Sequence, residues 1–359
     1  EYSFGTRKWL TPEEIASGEA FPQDGFYGGL HAPGRFDKIL DLQECHLQQP
    51  VSFELLDFVR EWCRTRNVEA YDPYRHEGFM RNLMIRTSDA SGEVMVNVVC
   101  NGEDYDLFAA LTEDLTAAFP RVSTLMFTIN DTRSPVARGD REIVTHGDGW
   151  ITETLNGYSF RIRSGTFFQT NSRQAENLFR TVREAIPEQA AGGWLLDLYC
   201  GVGTAAILLS DRFERCLGLE LSPESVAFAR ENAKINGLSG CEFLAGDVLE
   251  SISADGVNAY GVPDLVVTDP PRAGMHTGVV RALLELGAPY VIYVSCDPTT
   301  LARDLKMLGE RYDVGPVRPV DMFPQTTHIE TVTLLSLRTG SAAAAATAPA
   351  PSDASASGA

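Results

Sequence analysis

The chain has 359 residues, 44% of them hydrophobic, and a formal net charge of -19 at pH 7. That is long enough for two domains, and no apolar run approaches the ~18 residues of a membrane span, so none is expected. The opening Glu1-Tyr2-Ser3-Phe4-Gly5 lacks the basic start and apolar core of a secretory signal, and seven irregularly spaced cysteines argue against a disulfide scaffold and for the reducing cytoplasm.

The acidic balance runs against the basic face usual for a nucleic-acid-binding protein. Cations are nevertheless concentrated in the first quarter, at Arg7, Lys8, Arg35, Lys38, Arg75, Arg81 and Arg86. One hypothesis is that the acidic surface is an adaptation to high salt, where screening weakens charge steering. Loss of activity in molar salt would count against it.

Residues 1–160 read as a smaller α+β domain. Leu55, Leu56, Phe58, Val59 and Trp62 give helical spacing to Phe53–Arg66. Leu83–Thr87 and Val94–Val99 read as strands joined by a turn over residues 88–92. A helix is expected over Asp106–Phe119 and a strand over Leu125–Ile129. Asn156-Gly157 is a strong hairpin signal within Thr152–Ile162.

From Trp194 onward, buried strands alternate with amphipathic helices. The strands are Trp194–Leu198, Arg215–Leu219, Cys241–Leu244, Leu265–Val267 and Tyr290–Val294, with helices that include Pro223–Asn236 and Gly278–Leu286. This alternation predicts a parallel, doubly wound, Rossmann-like α/β sheet over residues 161–338. Val317–Asp321 and Thr331–Leu337 add two final strands. Residues 339–359 are rich in Ala, Ser and Pro, and are expected to be disordered.

Successive strand ends carry the residues of interest. Leu195–Leu198 runs into Tyr199-Cys200-Gly201-Val202-Gly203-Thr204, a strand followed by a glycine turn and a helix start. The turn has G-x-G without the third glycine of a dinucleotide fingerprint. Glu220 ends the next strand, placed as a carboxylate that accepts from ribose hydroxyls, and Gly246-Asp247 follows the third, placed to reach an adenine edge. Each acid has an ordinary alternative as a helix cap. Together the three features look like a class I methyltransferase binding S-adenosylmethionine, a cofactor with no pyrophosphate to cradle.

The fourth strand gives Asp269-Pro270-Pro271-Arg272-Ala273-Gly274. The fifth ends in Ser295-Cys296-Asp297-Pro298, then Thr299-Thr300-Leu301-Ala302-Arg303-Asp304. The closing motif is Asp321-Met322-Phe323-Pro324-Gln325-Thr326-Thr327-His328-Ile329-Glu330, and upstream lies Gly165-Thr166-Phe167-Phe168-Gln169-Thr170-Asn171. A lone cysteine is usually a small buried hydrophobe, but one at the carboxyl edge of such a sheet can act as a nucleophile.

These four motifs closely resemble the RNA uracil-C5 methyltransferase family over about residues 160–338. The similarity is nearest the 23S ribosomal RNA branch, with the tRNA thymine-loop enzymes next. Gly34–Lys38 and His76–Asn82 extend the likeness into the first 160 residues. The resemblance implies Cys296 as nucleophile, Glu330 as general base, and Gln169, Tyr199, Thr204, Glu220, Asp247 and Asp269 as contacts to S-adenosylmethionine. Three positions depart from the family pattern: Asp297 stands where Asn is common, Gln325 where His is common, and Thr204 where many relatives have Asn.

The chemistry accounts for these residue types. Uracil C5 is a poor nucleophile; a thiolate adding to C6 makes C5 enolate-like, and a base must then take the C5 proton. Arg272 is a candidate for activating the thiol. His328 is a weaker candidate for a second base, because alternate residues on a strand face opposite sides. The target base has to leave any stack to reach the thiol, so a flipped base or single-stranded loop of RNA is the implied partner. Phe167 and Phe168 are candidates to help, although aromatics beside a strand are more often core.

In the ribosomal RNA branch a cysteine cluster holds an iron–sulfur centre, and its fourth ligand matches Cys45 here. The resemblance therefore implies an N-terminally truncated chain in which a [4Fe-4S] cluster belongs only to a full-length form, since one thiolate cannot hold it. Three other readings are a tRNA uracil-C5 methyltransferase, an RNA-binding protein without turnover, and an amino-methyltransferase. Binding alone needs neither Cys296 nor Glu330, and direct transfer to nitrogen needs no thiol.

Overall fold

The computed structural model describes residues 1–338 apart from residues 19, 23, 24, 135, 136, 140, 254–256, 258 and 259. The tail expected to be disordered lies outside the described residues. The elements of the first half are β1 (Tyr2–Gly5), α1 (Pro12–Ser17), β2 (Tyr27–His31), β3 (Ile39–Asp41), α2 (Pro50–Arg66), β4 (Met80–Thr87), β5 (Val94–Cys100), α3 (Tyr105–Ala118), β6 (Val122–Ile129), β7 (Arg141–His146), β8 (Ile151–Leu155) and β9 (Tyr158–Ile162). The second half adds α4 (Ser172–Glu184), β10 (Trp194–Leu198), α5 (Thr204–Leu209), β11 (Arg215–Glu220), α6 (Pro223–Ile235), β12 (Cys241–Ala245), α7 (Val248–Ser253), β13 (Leu265–Thr268), α8 (Thr277–Leu286), β14 (Tyr290–Ser295), α9 (Pro298–Leu308), β15 (Tyr312–Val320) and β16 (Glu330–Leu337).

The predicted elements are present with small shifts at their ends. α2 begins at Pro50, three residues before the expected start, because Pro suits the first helical turn, where its missing N–H costs nothing. β15 begins at Tyr312 rather than Val317, since the chain pairs with β16 across an irregularity between Val314 and Val317. The hairpin β8–β9 turns at Asn156 (φ 48°) and Gly157 (φ 86°), two consecutive left-handed residues as a tight two-residue hairpin demands.

Two seven-stranded sheets organise the chain, in the orders β3-β2-β1-β4-β5-β6-β7 and β12-β11-β10-β13-β14-β16-β15. The first is mostly antiparallel, with α2 and α3 packed against it through Leu55, Leu56, Phe108 and Leu111. In the second, β10 to β14 are parallel and β16 returns antiparallel to β14. All five residues of β10 are buried, as in a parallel sheet covered by helices on both faces. Each fully buried Leu or Phe of this core contributes about 1.5–3 kcal/mol. The hairpin β8–β9 packs into the second core through Ile151, Leu155, Phe160 and Ile162.

Strand order reverses at β10, which lies between β11 and β13. In an open α/β sheet this switch point leaves a crevice outside the carboxyl ends of the strands. Because β16 runs antiparallel, its amino end reaches the same edge.

Candidate active site

The turn after β10 is bent by three left-handed residues, Tyr199 (φ 62°), Gly201 (φ 54°) and Gly203 (φ 85°). For Tyr199 that conformation is costly and persists only where the surroundings enforce it, as they often do at functional sites. A Cβ added at Gly201 would meet no atom within 4 Å, so this backbone borders open space. At Gly203 it would come within 2.9 Å of the Phe243 ring, and there glycine permits close packing instead. Thr204 opens α5 directly behind this turn.

Glu220, at the end of β11, accepts from Gly201 N–H at 3.2 Å and from Ser222 N–H at 2.9 Å. The two strand ends are thus fixed relative to one another through one carboxylate. Asp247 accepts from the N–H groups of Leu249 (2.8 Å) and Glu250 (3.1 Å), so its side chain is a cap for α7 and is at the same time exposed. Gln169 is half-buried in the loop between β9 and α4. In that loop Phe168 is core at 4% exposure and Phe167 is 66% exposed, so the two neighbouring rings separate cleanly.

A cleft of about 730 Å³ lies between the two sheets, lined by Met84 and Thr128 on one side and by Gly165, Phe167, Gly201 and Glu220 on the other. It covers the glycine turn and its acid. Cys296, Glu330 and Asp269 are not in its lining; they stand further along the same sheet edge.

There the register is decisive. β14 and β16 pair antiparallel from Tyr290↔Ser336 to Ser295↔Thr331. The Thr331 hydroxyl donates to the Ser295 carbonyl at 3.1 Å, locking the last rung. One step further, the same register sets Cys296 opposite Glu330. Glu330 is 5% exposed and its Oε2 has no hydrogen-bond partner. Burial pushes its carboxyl up to about 7.

Asp269 follows β13, and its N–H reaches the Leu198 carbonyl at 3.5 Å. Its surface still opens to the edge of the sheet although protein surrounds it. Desolvation first, then the charges of Glu330 and Asp197, push its carboxyl up to about 8. Asp197 itself, buried in β10, accepts from Ala206 N–H at 2.9 Å, and burial raises it to about 7. The Cys296 thiol is also raised, by desolvation and then by Glu330 and Asp269, while Arg272 works in the opposite direction. Arg272 therefore lies near enough to favour the thiolate, with its Nε 3.7 Å from Asp297.

Asp297 serves as the cap of α9. Its Oδ1 accepts from Thr299 N–H (2.8 Å) and Thr300 N–H (3.3 Å), a role that Asn fills equally well. The charge is what the departure from the family pattern adds, and it faces Arg272. Gln325 takes a left-handed φ of 68° in the loop before β16. His328 is exposed in the same loop, packed edge-on to Phe323. It is not on the strand at all, so face alternation is not what separates it from Glu330.

Two supports were not legible in the sequence. Asp304 is 1% exposed and accepts from Met275 N–H (2.8 Å) and the Tyr293 hydroxyl (2.7 Å), while Arg303 donates to the carbonyls of Ala273 and Met275 at 3.0 Å. This clamp fixes the Asp269–Gly274 loop. Arg86, from β4 in the other sheet, donates to the carbonyls of Ser164 (3.1 Å) and Thr166 (2.6 Å), holding the loop that carries Phe167 and Gln169. Neither role follows from spacing, because both partners are backbone carbonyls or distant in the chain.

Cys45 is half-buried and lies close to Tyr2 and the amino group of Glu1. Among the described residues no group of three or more His, Cys, Asp or Glu could hold a metal ion. The residues present do not fit an iron–sulfur cluster. No helix among the described residues is long and apolar enough to cross a membrane.

Comparison with known proteins adds independent information. Residues 134–338 match the family model described as tRNA (Uracil-5-)-methyltransferase. An uncharacterized RNA methyltransferase of Porphyromonas gingivalis is 41% identical over 347 residues, spanning 94% of this chain and 74% of the relative. Another, of Chlorobaculum tepidum, is 40% identical, spanning 92% of this chain and 69% of its own length. Among solved structures, the Pyrococcus abyssi tRNA (uracil-54, C5)-methyltransferase in complex with S-adenosyl-L-homocysteine superposes with a TM-score of 0.72 at 32% identity, covering 86% of this chain and 72% of that one.

Proposed function

The chain belongs to the tRNA (uracil-5-)-methyltransferase family, and on that premise we propose that it transfers a methyl group from S-adenosylmethionine to C5 of a uridine in RNA, through a covalent bond between Cys296 and C6 of the base. The observation that carries this reading is the β14–β16 register, which sets a thiol and a buried, unpartnered carboxyl opposite one another at the sheet edge.

The residues at the switch point fit the cofactor. Open space above Gly201 and the Glu220 carboxylate beside it suit a ribose, Asp247 suits an adenine edge, and Gln169, Tyr199, Thr204 and Asp269 complete the set. When bound, S-adenosylmethionine supplies an electrophilic methyl group to the activated C5.

Cys296 has to lose its proton first, and the positive charge of Arg272 favours that loss. Its Sγ then forms a bond to C6, and the C5=C6 electron pair moves toward O4, leaving C5 nucleophilic. After methylation Glu330 takes the C5 proton, the C5=C6 bond re-forms, the S–C6 bond breaks, and the thiolate departs. A carboxyl with a pKa of about 7 is matched to that task near neutral pH. Residues 161–338 perform the chemistry in this reading, and residues 1–160 meet the RNA. Seven free thiols suit the cytoplasm.

The first substrate to test is 23S ribosomal RNA, on the likeness of the motifs to that branch. tRNA is the second reading, favoured by the tRNA (uracil-54, C5)-methyltransferase among the similar structures. The experiment is incubation with S-adenosylmethionine and 5-fluorouridine-substituted RNA, beside Cys296→Ala. Fluorine at C5 cannot leave as a proton, so the expected result is a stable RNA–protein band that requires Cys296. A band with tRNA alone moves the substrate to the second reading. Methylation of ordinary RNA by Cys296→Ala would overturn the mechanism.

A further inference from the structure

Away from the sheet edge, three aromatic side chains stand in the open on the first sheet: Trp9 at 37%, Phe36 at 58% and Tyr74 at 52% exposure. They come from three separate segments, two joined by backbone bonds and the third tied in by the Thr6 hydroxyl, which donates to Asp72 at 3.2 Å. Ile39 N–H donates to the Arg7 carbonyl (2.9 Å) and Trp9 N–H to the Ile39 carbonyl (2.7 Å), which joins residues 7–9 to the strand after Phe36. The rings of Phe36 and Tyr74 lie 5.6 Å apart, tilted by 47°.

Cations are interleaved with these rings. Arg7 sits 4.6 Å over the Tyr74 ring, and the Lys38 ammonium lies 5.6 Å from the Trp9 ring. Among the described residues neither forms an ion pair, whereas their neighbours Lys8 and Arg35 are paired with Glu14 and Asp37. In a chain with a net charge of -19, a surface where Arg7 and Lys38 alternate with exposed rings offers a polyanion local positive charge, although Arg7 also acts on the Asp72 carboxylate.

That combination matches a recognisable chemistry. Single-stranded nucleic acid is bound by rings that stack on successive bases and by cations that follow the phosphates. We propose that Trp9, Phe36 and Tyr74, with Arg7 and Lys38, form a stacking platform for an unpaired segment of the RNA substrate remote from the target base. This inference rests on the reading of the chain as an RNA methyltransferase.

One strand runs from the segment of Tyr74 toward the loop of Phe167 and Gln169. β4 runs from Met80, whose carbonyl accepts from Tyr71 N–H near Tyr74, to Arg86, which grips the Ser164–Thr166 loop. At ~3.4 Å per residue the two ends are about 20 Å apart. In this proposal the platform meets RNA away from the flipped base, where RNA trimmed close to the target uridine does not extend.

The test uses the full chain and two RNAs with the same target uridine, one long and one trimmed close to it. Affinities are measured by anisotropy for the parent and for Phe36→Ala, Tyr74→Ala and Trp9→Ala. Each substitution is expected to weaken the long RNA by roughly 5-fold or more and to leave the short RNA unchanged. Circular dichroism and S-adenosylmethionine binding control for folding. Unchanged affinity for the long RNA in all three variants would overturn the proposal and leave the surface to a protein contact, and equal losses on both RNAs would overturn it too. The methylation reading is judged separately, by whether the parent forms the Cys296-dependent adduct with the short RNA.

Discussion

Cys296 and Glu330 face each other across two antiparallel strands, one step beyond the Ser295↔Thr331 rung. They come from motifs thirty-four positions apart in the chain, yet their relation is set by backbone hydrogen bonding rather than by loops. A one-residue slip of β16 would turn Glu330 to the other face and put Ile329 or Thr331 in its place. The Thr331 hydroxyl bond to Ser295 works against such a slip.

Glu330→Gln should halt the reaction after methyl transfer, because the amide cannot take the C5 proton. The expected result is a methylated RNA–protein adduct that persists on a denaturing gel with ordinary RNA. In the parent, turnover should fall as pH drops through about 7, where the buried carboxyl becomes protonated. Normal turnover in Glu330→Gln would remove this residue from the mechanism.

The same substitution should raise stability. The folded-state pKa lies above the usual carboxyl value of 4.5, so the native state holds the proton between about pH 4.5 and 7 while the unfolded chain releases it. Stability from this group is therefore present at low pH and lost as pH rises through that window. Above pH 7 the ionised, buried carboxylate costs up to about 3 kcal/mol. Glu330→Gln should melt higher than the parent at pH 8, with the gap closing near pH 4.5. A gap that is independent of pH would point to packing instead.

Asp297 separates cap from charge. Asp297→Asn keeps an acceptor for the N–H groups of Thr299 and Thr300 and should leave the melting temperature unchanged. It also releases Arg272 from its ion pair, so the Cys296 thiol should ionise at lower pH, read from the pH dependence of its alkylation by iodoacetamide. Asp297→Ala should lose about 1 kcal/mol of stability through the missing cap.

Arg86 is a buried cation held by carbonyls. Burial lowers its pKa to about 10, leaving it charged at neutral pH. Arg86→Met should leave the Ser164 and Thr166 carbonyls without their donor, at a cost of about 1–3 kcal/mol. Single-turnover methylation should slow more than cofactor binding weakens, since Phe167 and Gln169 ride on that loop. Partial rescue by Arg86→Lys would identify the donor as what matters; equal loss in both variants would assign the effect to shape.

Gly274 has a φ of 75°, and a Cβ there would come within 2.6 Å of the Arg303 guanidinium and 2.8 Å of the Asp304 carboxylate. Gly274→Ala should strain the backbone by about 1–3 kcal/mol and loosen the clamp on the Asp269 loop. The checks are a lower melting temperature and slower adduct formation with 5-fluorouridine RNA. An unchanged rate would mean that the clamp serves the fold alone.

The sequence by itself determined the parallel sheet, because strands buried on both faces read as apolar runs such as Tyr290–Val294, and as the run Trp194–Leu198 that only Asp197 interrupts. It also placed Glu220, Asp269 and Cys296 at strand ends, since a strand's end is visible where the apolar run stops. Tertiary structure alone decided what those ends face. The antiparallel return of β16 brought Glu330 across from Cys296, and burial raised the carboxyls of Glu330, Asp269 and Asp197 together. The two neighbouring rings Phe167 and Phe168 were indistinguishable as letters until packing buried one and exposed the other. Arg86 and Arg303 were hidden for a related reason: they hold backbone carbonyls, which every residue has, so no pattern of side chains could announce them.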